Sequence, residues 1–432
     1  MSTPSTSPPA GGAIRLFGQE LRLAKSFWEG TQRSCSPEQT VSRLQPLAAA
    51  VGLTRVADIT GLDVIGLPVW VAIRPNARGL STAQGKGLSA PAARASAMME
   101  AIESWHAEHI DRPVVIESPW ALAQRAPVID WENLNVYADS LPRADQPLAW
   151  IEGHDLLREQ ACWVPLEAVS TSYVTGVRQA LPTAFVQSSN GLAGGNHPLE
   201  ALLHALAELV ERDALARGAA ALRRLDPALR IKPGTVADPA CRTVLGYLER
   251  AGVEAALFDL TSDLGVPVYA CTIVDADAAV RWRTLPPFNG YGCHPTPAIA
   301  LLRAINEAVQ SRLTYISGSR DDIPPTEYRR GGNADDLKAY RALLAAAPAT
   351  RDFNERRDLA GASFEDDVAR MLAVLRSAGI RNVVAVDLSK PGIGVSVIKL
   401  VVPGLAAAAS LMGNRPIRSP RRENATLALE DA

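Results

Sequence analysis

The sequence predicts an α+β fold, with mixed or antiparallel sheets carrying packed helices around a central cleft, and three observations support that expectation. The first is a phrase that returns along the chain: DITGLDVIGLPVWVAIRP from Asp58, LFDLTSDLGVPVYACTIVD around Asp259 and VAVDLSKPGIGVSVIKLVVPG around Asp387, with a looser echo in WIEGHDLLREQACWVPLEAV at 150–169. Each joins two apolar runs through polar turn residues and reads as a hairpin. The second is order. A hairpin precedes each of three amphipathic helices, whereas alternating β and α units would argue for a doubly wound sheet. The third is that the three helices share one register of acidic residues.

Taken in order, residues 1–25 read as a flexible lead, rich in Ser, Thr and Pro over the first twelve. A helix around Pro37–Ala50 starts on Pro37 and stops at Gly52. The first hairpin follows, then Gln84-Gly85-Lys86-Gly87, read as a phosphate loop, and the first acidic helix. In 181–218, LPTAFVQSSNGLAGGNHPLEALLHALAELVERDALARG, a glycine-rich run (Ser189-Asn190-Gly191, Gly194-Gly195-Asn196) reads as a second such loop. It ends at Asn196 as N-cap, and Pro198 opens a long helix. After the third helix, 321–362 reads as a charged excursion or lid. Ser363 caps a further helix, and strands at 381–386 and 394–402 close the ordered part. Residues 26–403 read as one integrated domain and 404–432 as a largely flexible tail.

At about 100° per residue, Glu200, His204, Glu208 and Glu211 fall on one side of the long helix, with Leu199, Leu202, Leu203, Leu206, Leu209 and Val210 on the other. ASAMMEAIESW sets Ser96, Glu100 and Glu103 against Met98, Ile102 and Trp105; LLRAINEAVQSR sets Arg303, Glu307 and Gln310 against Leu302, Ile305 and Val309. The acidic faces therefore read Ser-x3-Glu-x2-Glu, His-x3-Glu-x2-Glu and Arg-x3-Glu-x2-Gln. One such stripe is ordinarily a solvated face. Here the long helix has no lysine on its front and only Arg212 for a cation, and two carboxylates about 4 Å apart repel by roughly 4 kcal/mol at an effective dielectric near 20. The cluster calls for a cation. Phosphate loops beside carboxylates make sense with Mg²⁺ between them, which points to a magnesium nucleotide site with Lys86, Arg212 and Arg303 on phosphate oxygens. A transition-metal centre at Glu200, His204 and Glu208 is the rival. It lacks the Glu-x-x-His pairs of bundle di-iron sites, so His204 reads as a packing residue and His106 and His109 as surface or structural.

The 432-residue chain is 47% hydrophobic with a formal charge of −2, which offers no field for a polyanion. No basic run is interleaved with aromatics, so nucleic acid is not an expected partner. Cys35, Cys162, Cys241, Cys271 and Cys293 lack CxxC spacing; neither a zinc site nor a disulfide framework is read, and the odd count fits a reducing compartment. With no signal-peptide core and no run of about 18 apolar residues, a cytoplasmic protein without a membrane span is expected.

The segments GKGLS…ASAMMEAIE, SSNGLAGGNHPLEALLHALAELVERDA and LLRAINEAVQSR…SGSRDD resemble, in order, the three ATP-binding motifs of the YcaO family, and the likeness runs over about residues 50–403. The resemblance implies a YcaO-type fold around a central ATP cleft. It implies an enzyme that uses ATP and Mg²⁺ to phosphorylate a backbone amide oxygen in a ribosomally made precursor peptide or protein, with a hemiorthoamide intermediate collapsing by loss of phosphate. By resemblance, Glu103, Glu200, Glu208 and Glu211 are Mg²⁺ ligands, and Lys86, Ser96, Glu100, Asn196, Arg212, Arg303, Glu307, Gln310 and Arg320 touch nucleotide or phosphates. Ser104 stands where an arginine is usual, and Ala193 where some members have serine. Each departure removes a nucleotide contact and neither removes a metal ligand. No protein nucleophile is read.

Azoline-forming members commonly end in Pro-x-Pro-x-Pro, whereas this chain ends ALEDA. RVADITGLDVIGLPVWVAIRPN…STAQGKG is most similar to members that act with a TfuA partner, where external sulfide gives a thioamide. Thioamidation with a TfuA-like partner is therefore the implied reaction. Azoline formation with a separate leader-binding protein is the alternative, no fused leader-binding domain being read at either end, and a homodimer is the implied assembly. A carboxylate-bridged transition-metal enzyme and a non-catalytic peptide scaffold are more distant readings.

Overall fold

A computed structural model describes residues 13–174, 183–276, 284–320, 322–407 and 417–419. The recurring phrase is one set of hydrogen bonds made three times. Asp58 Oδ1 accepts from Thr60 N at 2.9 Å while Thr60 Oγ1 accepts from Val69 N at 3.1 Å. Asp259, Thr261 and Val268 repeat this at 2.9 and 3.2 Å, and Asp387, Ser389 and Val397 at 2.9 and 3.0 Å. A carboxylate closes the turn onto the residue two ahead, and that residue's hydroxyl ties the returning strand. The echo at 150–169 keeps only the first bond, Leu157 N to Asp155 Oδ1 at 3.0 Å, because Leu157 has no hydroxyl.

Each hairpin gains a third strand that leads into, or pairs beside, one acidic helix. Arg55–Asp58, Val69–Ile73 and Thr82–Lys86 form an antiparallel sheet running into the first helix, Ala90–Glu108. Val253–Asp259, Val268–Asp275 and Phe288–Cys293 do the same for the third, Pro297–Ser317. The second helix, Pro198–Arg223, follows Leu192–Gly195, which pairs with the last hairpin strand, Ser396–Val401, partner of Val384–Asp387. Leu148–Asp155, with Val114–Glu117 and Gln160–Pro165, completes that six-stranded sheet. These ladders are all antiparallel, as the α+β reading requires.

One apolar cluster lies behind each helix, built on Met98 and Ile102, on Leu199, Leu202 and Leu206, and on Leu301, Ile305 and Val309. The three units also close on one another. Leu192–Gly195 packs on the first helix, Phe288–Cys293 on the second and Thr82–Lys86 on the third, so the strand introducing each helix also supports a neighbour. The ring turns the three acidic faces inward.

Several expectations are corrected. Gln84–Lys86 and Gly194–Gly195 are strand, not loop. Glycine there serves close approach: a Cβ on Gly85 would collide with the Ala93 and Ala97 backbone, and one on Gly194 would stand 2.9 Å from Glu103 Oε1. The N-cap of the long helix is His197, whose Nδ1 accepts from Leu199 N at 3.2 Å, rather than Asn196. The lead is structured within 13–25: Ile14–Leu16 pairs with Gln19–Leu21, and Lys25 is fully buried 2.6 Å from Asp367. In the tail, Ile417–Arg418 pairs with Val136–Tyr137, while 408–416 and 420–432 lie outside the described residues, as do 1–12 and 175–182. The helix read at Pro37–Ala50 ends at Leu44 and continues as a short turn. The 321–362 excursion folds as Pro325–Gly331 and Ala334–Ala346, with Asp321 outside the described residues.

Candidate active site

The acidic faces meet where the ring closes. From the first helix, Glu103 Oε1 accepts Gly194 N at 2.7 Å and Glu100 Oε2 accepts Gln84 N at 3.3 Å. From the second, Glu200 is buried, with Oε1 taking Ser34 N at 2.5 Å and Oε2 taking Asn196 N at 2.8 Å. Arg212 Nη2 stands 3.7 and 3.8 Å from Glu208 and Glu211. From the third, Glu307 holds Lys86 Nζ at 2.9 Å and accepts Tyr291 N at 3.3 Å, and Gln310 Nε2 donates to Gln84 O at 3.1 Å. Ser96 is half-buried one turn before Glu100. Arg303 lies among the rest, its charge acting on His204, Glu208, Glu211 and Glu307. Asn196 gives its side chain to Thr40, at 3.0 Å, and to Arg43. Arg320, just beyond the end of the third helix, pairs with Asp322 at 2.8 Å and its charge acts on Glu100.

Burial sets the electrostatics. It pushes the Glu103 carboxyl up to about 8, aided by the charges of Glu100 and Glu208 and opposed by the Gly194 amide. It pushes Glu211 up to about 7 against Arg212, with Glu307 and Glu208 adding to the rise, and it raises Glu208. Glu307 goes the other way, because Lys86 and Arg212 outweigh its burial. Burial also holds His204 well below its ordinary value, so it is neutral beside Arg303 and Arg33. A solvated stripe would show none of this. His106 is structural: fully buried, its Nδ1 lies 2.7 Å from Ile102 O.

A family model described as a YcaO cyclodehydratase that binds ATP and Mg²⁺ matches residues 84–406. The chain belongs to the YcaO family. It is 36% identical over 396 residues to an uncharacterized protein in the tfuA 3′ region of Rhizobium leguminosarum, covering 90% of this chain and 92% of the relative. It is 34% identical over 372 residues to an uncharacterized protein of Methanothermobacter thermautotrophicus, covering 85% and 94%. The fold matches YcaO of Methanopyrus kandleri bound with AMPPCP and Mg²⁺ at a TM-score of 0.68 and 21% identity, over 91% of this chain and 99% of that one. It also matches a heterocyclase in complex with substrate and cofactor at a TM-score of 0.72 and 22% identity. That match covers 91% of this chain, which spans 55% of the heterocyclase.

ATP and Mg²⁺ are the cofactors of this YcaO protein, and its unpaired groups suit them. Arg212 Nε, Arg303 Nε and Gln310 Oε1 are buried without a hydrogen-bond partner among the described residues, an array of donors and an acceptor facing repelling carboxylates. Among the described residues no three acidic, histidine or cysteine side chains are already gathered around one point. Glu103 and Glu200 are instead engaged by main-chain amides. A cavity of about 350 Å³ lined by Arg230, Glu254 and Leu344 contains none of the predicted site residues.

Sequence reasoning missed Arg33, Ser34, Thr40 and Lys399. Arg33 sits where burial lowers it and Glu200 and Glu103 raise it, and Lys399 Nζ donates to Ser188 O and Asn190 O at 2.6 and 2.7 Å. The capping box at Ser36 was the legible signal for the first three. It places Arg33–Cys35 immediately before a helix. Lys399 carries no such signal, being a lysine in an otherwise apolar strand.

Proposed function

We propose that this YcaO protein activates a backbone amide of a ribosomally made peptide or protein with ATP and Mg²⁺, and that external sulfide, supplied with a TfuA-type partner, completes a thioamide. The observation carrying the reading is the inward meeting of three acidic helices, each entered from a glycine-bearing strand, with the Nε atoms of Arg212 and Arg303 buried among them without a hydrogen-bond partner among the described residues. Likeness to a protein from a tfuA 3′ region favours sulfide as the nucleophile. Likeness to a heterocyclase is the observation that favours the alternative, ring closure onto Cys, Ser or Thr.

Glu103, Glu200, Glu208 and Glu211 would hold Mg²⁺, which when bound shields the phosphate charge from the carboxylates and polarises the transferred group. Lys86, Arg212 and Arg303 would orient phosphate oxygens in line with the amide oxygen, and Asn196, Ser96, Glu100, Glu307, Gln310 and Arg320 would complete the nucleotide's surroundings. Acceleration then comes from positioning and fixed charge, without a protein nucleophile. Mass spectrometry of a peptide co-expressed with the protein tests the product. Sulfur replacing oxygen adds mass, water loss subtracts it, and an unmodified peptide with no peptide-stimulated ATP hydrolysis would leave a scaffold role instead.

A further inference from the structure

Arg212, whose Nη2 reaches Glu208, also lines a small cavity of about 60 Å³. Its walls include Leu134, Val186, Leu209 and Leu405, and its charged lining is Lys399 and Arg212. Lys399 is 2% exposed. Two of its three donors are held by Ser188 O and Asn190 O, and among the described residues the third has no hydrogen-bond partner. Arg212 Nε is likewise buried and unpartnered, while Nη2 of the same side chain reaches Glu208 and Glu211.

An ordered water occupies about 30 Å³ in the liquid, so the space admits an ion of a few atoms at most and no peptide side chain of any size. Two cationic groups with a donor to spare, beside a lining that mixes apolar side chains with Asn135, Ser188 and Asn190 and with Glu208 the carboxylate paired to Arg212, suit a small, weakly hydrated monoanion. Its dehydration costs less than that of a carboxylate or phosphate, and the fixed N–H groups compensate for it. Arg212 shares its guanidinium between this cavity and the carboxylates, so an occupant lies one side chain from the reaction centre.

We propose that the Lys399–Arg212 cavity is the binding site of hydrosulfide, the attacking nucleophile; this rests on the thioamide reading above. Sulfur bonds to the amide carbon, the bond from that carbon to the phosphorylated oxygen breaks, and phosphate departs with the oxygen and the sulfur's proton. No oxidant or reductant is needed.

Bromide, a monoanion of similar size, diffused into crystals of the full chain and located by anomalous scattering, is the test. The expected result is a peak between Lys399 Nζ and Arg212 Nε that falls at least tenfold when sodium hydrosulfide competes. The peak should also be lost in Ala168→Leu, which narrows the cavity while keeping both cations. Bromide found only elsewhere, or a peak that hydrosulfide leaves unchanged, overturns the proposal. Product mass separates the two readings. A peptide that gains sulfur although the cavity stays empty removes the cavity's role alone, whereas a cavity that fills while the peptide loses water removes the thioamide reading and the nucleophile role with it.

Discussion

At the residue scale the site is a set of buried carboxylates whose charges act on one another, so the apo protein should be less stable for holding them. Glu211→Gln and Glu208→Gln each remove one repelling charge. ATP turnover should fall about 100-fold or more while the melting temperature stays level or rises; wild-type-like turnover in both would refute the metal role. The sign of the pH dependence follows from the raised carboxyls. Glu103, at about 8 folded against 4.5 ordinarily, binds more protons folded than unfolded, so its contribution is present in full at the acid end and is lost as pH rises through about 8. Apo protein should therefore lose thermal stability across pH 4.5–8, and Mg²⁺ with AMPPCP should flatten that slope; a slope indifferent to the ligand would contradict the assignment. Lys86→Ala leaves Glu307 without its nearest cation and should raise the ATP concentration needed for half-maximal turnover more than it lowers the melting temperature. These residues were legible because spacing of three and four on a helix fixes which side chains share a face. Arg33 and Thr40 were signalled only by the Ser36 capping box, which marks where a helix starts but not that its neighbours reach a distant site.

At the element scale the three hairpins were readable from Asp-x-Thr/Ser because that turn is a local hydrogen-bond pattern. The third strand of each unit was not. TAQGK and FNGYGC combine glycine with polar residues and LAGG is half glycine, compositions that signal a loop until a helix is known to lie against them. The long-range pairing of Leu192–Gly195 with Ser396–Val401 had no local signal at all. Gly194→Ala tests the tightest of these contacts. Its Cβ would displace Glu103, and a shift approaching 1 Å can cost about 100-fold in turnover, so Mg²⁺-dependent turnover should fall while the far-ultraviolet circular dichroism is unchanged. Undiminished turnover would show that the strand does not position Glu103.

At the scale of the whole molecule, the ring closes because each introducing strand also supports the preceding helix, the first strand reaching round to the third helix, and the N-terminal segment adds Ser34 to Glu200. Lys25, nine residues earlier, anchors that segment in a buried pair with Asp367. Lys25→Met strands a buried carboxylate and should cost about 3–5 kcal/mol in urea unfolding, whereas replacing both partners with apolar residues should recover most of it. The most direct measurement of the central claim is calorimetric titration of the full chain with AMPPCP, with and without Mg²⁺. Binding should require Mg²⁺ and vanish in Glu211→Gln. AMPPCP binding of equal strength without Mg²⁺ and in that variant, or no binding to the folded wild-type chain, would contradict it.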